Sequence, residues 1–440
     1  MQTATSAGER SITAKVTIRL MLFVALMYLL NQFDRGNLAF AQKTLSADLG
    51  LSNAAFGLGA GIFFIGYFLF EVPSNLILHR VGARRWLSRI MVSWGVVTIL
   101  MLFVQNEYAF YLMRFLLGVA EAGFFPGAVY YIALWLPARE RGKVLALLSA
   151  AGPAAYLLAG PFSGVILGLD GSHGLHGWQW LFLLEGSATV VVGICGWFFL
   201  TDRPEDAKWL TADECDELTA RIERDREAGS TEHTGLLQVI RQPRVLRLAG
   251  VYACIQITNA GLVFWLPSVT SRIGDLSTFQ ETSLSVTPYA FQIIGLFVLG
   301  RSSDRRGRHQ THVLIGCLCI AVGLGIGAVV SPVFGLLALC LAFFGYGTMS
   351  AFWSLASSYL GTTSAGAGGL AFINSVAALG GFVGPFTFGY LLDLTGSTAA
   401  SLWMLAGVAA VAAALVAFVR SPSASPDRST APAQSLQMKE

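Results

Sequence analysis

Long apolar runs recur along this chain, and each is long enough to cross a bilayer. One helical crossing takes about 20 mostly apolar residues. Twelve runs qualify, at 19–41, 54–78, 86–105, 108–136, 143–168, 178–200, 246–270, 282–300, 312–331, 333–360, 367–392 and 398–419. Their lengths fit helices rather than strands, and their Gly, Ala and Ser content lets neighbouring helices approach closely. Composition points the same way. The chain is 54% hydrophobic and 12% charged, with a mean hydropathy of +0.61. Soluble domains are about 25% charged. The expected fold is therefore an all-α membrane protein with twelve transmembrane helices. The net charge of +3 comes without a basic block, so no nucleic-acid partner is expected.

Twelve crossings place both termini on one side, and the basic residues say which side. Short loops on the terminal side hold Arg80, Arg84, Arg85 and Arg89, then Arg139, Arg141 and Lys143, then Arg301, Arg305, Arg306 and Arg308. Opposite loops hold chiefly Lys43 and Arg272. Cytoplasmic termini follow, in what is expected to be a bacterial inner membrane. Residues 1–18 read as a cytoplasmic tail without the apolar core and cleavage site of a signal peptide. The expected organisation continues with a six-helix bundle over 19–200, a mixed-charge cytoplasmic linker over 201–243, a second six-helix bundle over 244–420, and a disordered Pro/Ser/Ala-rich tail over 421–440. The six cysteines show no zinc-like spacing and read as reduced packing residues.

The two halves echo each other. NLILHRVGARR (75–85) aligns with GRSSDRRGRHQ (300–310), so Arg80 meets Arg305 and Gly82 meets Gly307 at an offset of 225. GPF recurs at 160–162 and 384–386, and Gly118 meets Gly345. Several anchors at nearly one offset indicate duplication. GRSSDRRGR resembles the loop motif G-x-x-x-D-R-x-G-R of the major facilitator superfamily. The first-half copy departs from it at His79 and Ala83. FDRGNLAFA (33–41), GIFFIGYFLFEVPSNLILHRVGARRW (61–86), RFLLGVAEAGFFPG (114–127) and HGWQWLFLLEG (176–186) further resemble the anion:cation symporter family. The resemblance spans roughly residues 19–420. It implies two pseudo-symmetric six-helix bundles around a cavity that opens alternately to either side.

Charges inside spans mark the candidate site. Asp34 and Arg35 close the first span, and Arg114 and Glu121 lie seven residues apart on one face of the fourth. A charge at the bilayer centre costs about 2.5–3.5 kcal/mol, and buried ion pairs stabilise poorly. Four such charges with zero net sum suit binding an anion while an acid takes up a proton. Arg35 is expected to hold a substrate carboxylate through its planar fork. Asp34 and Glu121 are the expected proton acceptors, with Arg114 tuning Glu121, and Gly118 is expected to leave space between Arg114 and Glu121. The family resemblance assigns such roles to these four positions. The second half lacks matching charges: Leu341, Thr348, Gln256 and Asn259 stand near the equivalent positions. Neutral recognition is therefore expected from Gln256, Asn259, Gln292, Trp353 and Asn374, together with Tyr67 of the first half. The resemblance favours Tyr67, Trp353 and Asn374.

In the fifth span, AAGPAAYLLAG (150–160) stands where sugar-acid relatives place an amide. An apolar wall there, with Tyr156 lining it, suits a short hydroxy-dicarboxylate such as tartrate or an aromatic carboxylate. Asp304, Arg305, Gly307 and Arg308, with Gly82 and Arg84 in the first half, form the expected gating loops. They would clamp neighbouring helices in one state and release them in the other. GLGAG (57–61) has no strand before it and reads as a helix-packing surface rather than a phosphate loop. The pairs His173/His176 and His309/His312 lack acidic partners for a metal. No nucleophile or cofactor constellation suggests an enzyme.

The leading expectation is a proton-coupled importer of a small organic anion. It would act as a monomer in the lipid bilayer, with no cofactor beyond the proton gradient. An anion exchanger or exporter is the alternative, supported by the partial resemblance of GPFSG (160–164) to an antiporter motif. A membrane solute sensor is the alternative from another class.

Overall fold

The computed structural model describes residues 12–228, 236–360 and 364–419. Twelve membrane-length helices run through them: span 1, Ile12–Leu49; span 2, Asn53–Val81; span 3, Ala83–Phe103; span 4, Glu107–Trp135; span 5, Glu140–Leu167; span 6, Gly177–Phe199; span 7, Pro243–Val263; span 8, Thr278–Arg306; span 9, His309–Val329; span 10, Pro332–Leu360; span 11, Gly368–Thr395; and span 12, Thr398–Ala417. All twelve expected crossings are present. Span 1 starts at Ile12 rather than 19, because Ile12, Val16 and Leu20 form an i, i+4, i+8 apolar face that is buried against the first half. The tail from 421 lies outside the described residues.

Local chemistry sets the turns. Gly50 ends span 1 in the left-handed region at φ 63°, and the Ser52 side chain accepts from the Ala55 N–H to start span 2. The repeat-related Gly82 and Gly307 both take positive φ, 97° and 61°, between spans 2 and 3 and between spans 8 and 9. Only glycine adopts such angles readily, so the aligned glycines mark one turn made twice. Span 4 breaks after Glu121, where Gly123 sits at φ 84°. Span 10 breaks between Tyr346 and Met349.

Packing repeats the duplication. Spans 1 and 5, 2 and 4, and 3 and 6 pair in the first half; spans 7 and 11, 8 and 10, and 9 and 12 pair in the second. The halves meet through spans 2 and 11 and through spans 5 and 8. A Cβ on Gly57 would lie 2.4 Å from the Pro385 carbonyl oxygen, and one on Gly160 would lie 2.6 Å from that of Thr282. Both GPF segments thus sit where the halves touch, and GLGAG is a packing surface.

These contacts gather at the face opposite the termini, called here the far face. There the Asp393 carboxylate accepts from the backbone N–H of Asn53 and Ala54 at 3.1 and 2.7 Å, capping span 2 across the two halves. Ser268 donates to Gln42, and Lys43 reaches Glu281 at 4.0 Å. The far face is closed, and the cavity between the halves faces the terminal side.

The linker docks on the first half. Its helix, Ala212–Ala228, ion-pairs Lys15 with Glu214, and Arg221 with Glu140 at 3.5 Å. The Lys15 ammonium, with the Thr211 backbone, holds the Glu214 carboxyl below its usual range.

Candidate functional site

Two faces of span 1 build the site. Tyr28, Gln32 and Arg35, at i, i+4 and i+7, face a cavity of about 220 Å³ between the halves. Asn31 and Asp34 lie on an adjoining face, buried to 2% and 1% exposure, and turn towards the other helices of the first half. One helix thereby presents a cation to the cavity and an acid behind it.

Arg35 is the centre of the arrangement. Its Nη2 and Nε lie 2.5 and 2.6 Å from Glu121 Oε1. Asn31 Nδ2 donates to the same oxygen at 2.7 Å. Glu121 is fully buried, whereas the Arg35 side chain keeps 27% exposure. All three donors converge on Oε1, and Glu121 Oε2 is buried without a partner. Asp34 repeats the pattern. Its Oδ1 accepts from Thr98 at 2.9 Å and Asn37 at 3.3 Å, while Oδ2 is buried and unpartnered. Each acid thus has one satisfied oxygen and one bare oxygen. A bare buried carboxylate oxygen is costly, and protonation relieves that cost.

Arg114 makes no ion pair among the described residues. It faces the cavity, contacts the Gly59 carbonyl at 3.4 Å, and stands 5.0 Å from the centre of the Phe63 ring. Arg35 stands 5.5 Å from the centre of that ring and 5.2 Å from that of Tyr67. Aromatic faces therefore help to hold two guanidinium groups inside the first half. The partner of Glu121 is Arg35 rather than Arg114, because two helical turns separate the span 4 pair while span 1 packs directly beside Glu121. Gly118 leaves no free space either: its Cβ position is 2.0 Å from the Phe63 carbonyl oxygen, so span 2 fills the gap.

Of the neutral candidates, Gln256, Asn259, Gln292 and Tyr156 line the cavity. Tyr67 lies under Arg35. Trp353 instead packs on Tyr252 at 5.2 Å, and Asn374 is exposed outside the lining. Tyr28, Gln32 and Tyr289 are lining residues that sequence reasoning missed. The Tyr28–Gln32–Arg35 spacing was the available signal for the first two. Tyr289 stacks on Tyr156 at 4.8 Å, joining spans 5 and 8 as a floor towards the far face. Ser149, Gly152 and Pro153 make the span 5 wall, and Gln32 Nε2 lies 3.2 Å from the Cβ position of Gly152. Gln32 of span 1 thus places an amide beside the span 5 wall.

The gating loops differ between halves. Asp304, Arg305, Gly307 and Arg308 are exposed and form no ion pair among the described residues. In the first half, where His79 replaces the acid, the linker provides one. Asp202 accepts from the Arg84 backbone N–H at 2.8 Å and lies against Gly82.

The family model of the Major Facilitator Superfamily matches residues 24–385 and 275–440. The chain belongs to the Major Facilitator Superfamily. It is a multi-pass membrane transporter and not an enzyme. It is 43% identical over 410 residues to a protein of Agrobacterium vitis named "Putative tartrate transporter", covering 92% of this chain and 94% of that one. It is 42% identical to the "Quinolone resistance transporter" of Acinetobacter baumannii, covering 90% and 92%. The inward-facing, occupied crystal structure of a bacterial homologue of the lysosomal transporter Spinster shares the fold, with a TM-score of 0.73 at 18% identity, covering 91% of this chain and 96% of that one. The superfamily expected from GRSSDRRGR is the one found.

Proposed function

We propose that this superfamily member imports a compact organic carboxylate together with protons across a bacterial inner membrane. The carrying observation is the half-satisfied state of Glu121 beside Arg35. With Glu121 ionised, its Oε1 occupies the guanidinium that an anion needs. A proton on Oε2 removes that charge, and Arg35 then turns its fork to a substrate carboxylate. The substrate thus replaces Glu121 as the counter-charge, and the site stays near neutrality in both states. Asp34 takes the second proton on its bare Oδ2, and Arg114, which faces the cavity without an ion-pair partner among the described residues, takes a second carboxylate. Gln32, Gln256, Asn259 and Gln292 supply donors and acceptors for hydroxyl groups. A short hydroxy-dicarboxylate such as tartrate uses both guanidinium groups, and the relative named for tartrate supports that class. The basic loops on the terminal face support cytoplasmic termini.

A second reading, an exporter of planar aromatic carboxylates, draws on the stacked Tyr156–Tyr289 floor and on the relative named for quinolone resistance.

Purified protein in liposomes loaded with a pH dye tests the reading. A carboxylate panel is added outside without an imposed gradient. Lumenal acidification with a hydroxy-dicarboxylate, lost in Asp34→Asn, is the expected result. Uptake of radiolabelled compound with no pH change contradicts proton symport.

A further inference from the structure

Span 6 brings a third carboxyl to this region. Both Oε1 and Oε2 of Glu185 are buried and neither has a hydrogen-bond partner. No cation lies within ion-pair distance of it among the described residues. Its electrostatic neighbours are Asp34 and Asn37 of span 1, and Asn37 is also the amide that donates to Asp34. Asp34, 1% exposed with a bare Oδ2, is the second incompletely satisfied acid of the pair.

The other elements packed on span 6 do not neutralise it. Span 3 meets it through Gly95 and Gly186, and at that level it contributes Thr98, which donates to Asp34. Arg89 of span 3 lies next to Ser88, which packs on Gly196, about three turns away. Span 5 meets span 6 where Leu167 packs on Gly177, and its charged residues Glu140, Arg141 and Lys143 lie at the opposite end. An unpaired carboxylate inside a membrane span costs several kcal/mol. Span 4 brings Arg114 and Glu121 to act on Asp34, but neither acts on Glu185, and two neighbouring acids so placed avoid carrying two negative charges.

We propose that Glu185 is a third proton-binding carboxyl, coupled to Asp34, and that these two acids hold an exchangeable proton between them. When Asp34 gives up its proton to Glu185, one O–H bond breaks and one forms, and the negative charge moves to Asp34. Asn37 donates to Asp34 and lies beside Glu185. The proton thereby waits on Glu185, away from the cavity, while the site is empty, and returns to Asp34 when Arg35 and Arg114 take the anion. This inference rests on the proton-symport reading above.

The test compares wild type with Glu185→Gln and Glu185→Asp in liposomes, using tartrate as the probe. Accumulation driven by an acidic exterior is measured beside tartrate exchange at equal concentrations. Glu185→Gln is expected to lose at least about tenfold of the driven accumulation while retaining exchange, and Glu185→Asp is expected to regain accumulation. Equal loss of exchange in Glu185→Gln, with no rescue by Glu185→Asp, makes Glu185 a packing residue and overturns the proposal. Unchanged accumulation in Glu185→Gln also overturns it but leaves proton symport standing. Wild-type accumulation that ignores the proton gradient and follows sodium overturns both readings.

Discussion

Arg35 of span 1 holds Glu121 of span 4 by two contacts to a single carboxylate oxygen, at 2.5 and 2.6 Å, and leaves the other oxygen bare. The cation that an anion would seek is therefore already engaged, and a proton is what disengages it. Arg35→Lys keeps the charge but loses the fork. A charge-assisted hydrogen bond contributes about 1.5–3 kcal/mol, so KM for the carboxylate should rise about tenfold or more. Initial-rate uptake at graded substrate concentrations measures it.

Asp393 closes the far face by capping span 2 from span 11. Removing a cap costs about 1 kcal/mol, a factor of about five in an equilibrium. Asp393→Ala should shift the protein by that amount towards opening at the far face. Thiol labelling of a cysteine placed at Ser268, which bonds Gln42 in the closed state, reads the shift as faster modification.

Gly118 and Gly142 form a contrasting pair. A Cβ on Gly118 would meet the backbone oxygen of Phe63 at 2.0 Å, whereas one on Gly142 meets nothing within 4 Å. Gly118→Ala should destabilise the first half by about 1–3 kcal/mol. Gly142→Ala should leave stability unchanged or raise it by about 0.5–1 kcal/mol. Thermal unfolding in detergent separates them.

Gln32 reaches into the space beside Gly152. Gln32→Ala should weaken hydroxylated carboxylates more than unhydroxylated ones of the same length, by about 1 kcal/mol. Competition between tartrate and succinate for uptake reads this difference.

The crossings and the duplication were legible in the sequence because bilayer length and turn glycines leave direct traces. Runs of apolar residues give the spans, and Gly82 and Gly307 give matching positive-φ turns. The charged residues were legible too, since charges inside spans are rare. Their pairing was not. Spacing within span 4 put Arg114 and Glu121 on one face, but the approach of span 1 decided that Arg35 takes Glu121. Trp353 and Asn374 lie outside the cavity lining, and an apolar helix does not declare in its sequence which face meets the cavity. Glu185 sat in plain view within WLFLLEG, where its value as a family marker hid the bare carboxyl.

Glu121→Gln in liposomes tests the central claim most directly. The variant mimics the protonated acid, so tartrate exchange at equal concentrations should persist while accumulation against a gradient, driven by an acidic exterior, disappears. Accumulation that survives in Glu121→Gln contradicts a coupling role for this carboxyl. Loss of exchange together with accumulation makes Glu121 a binding or folding residue instead.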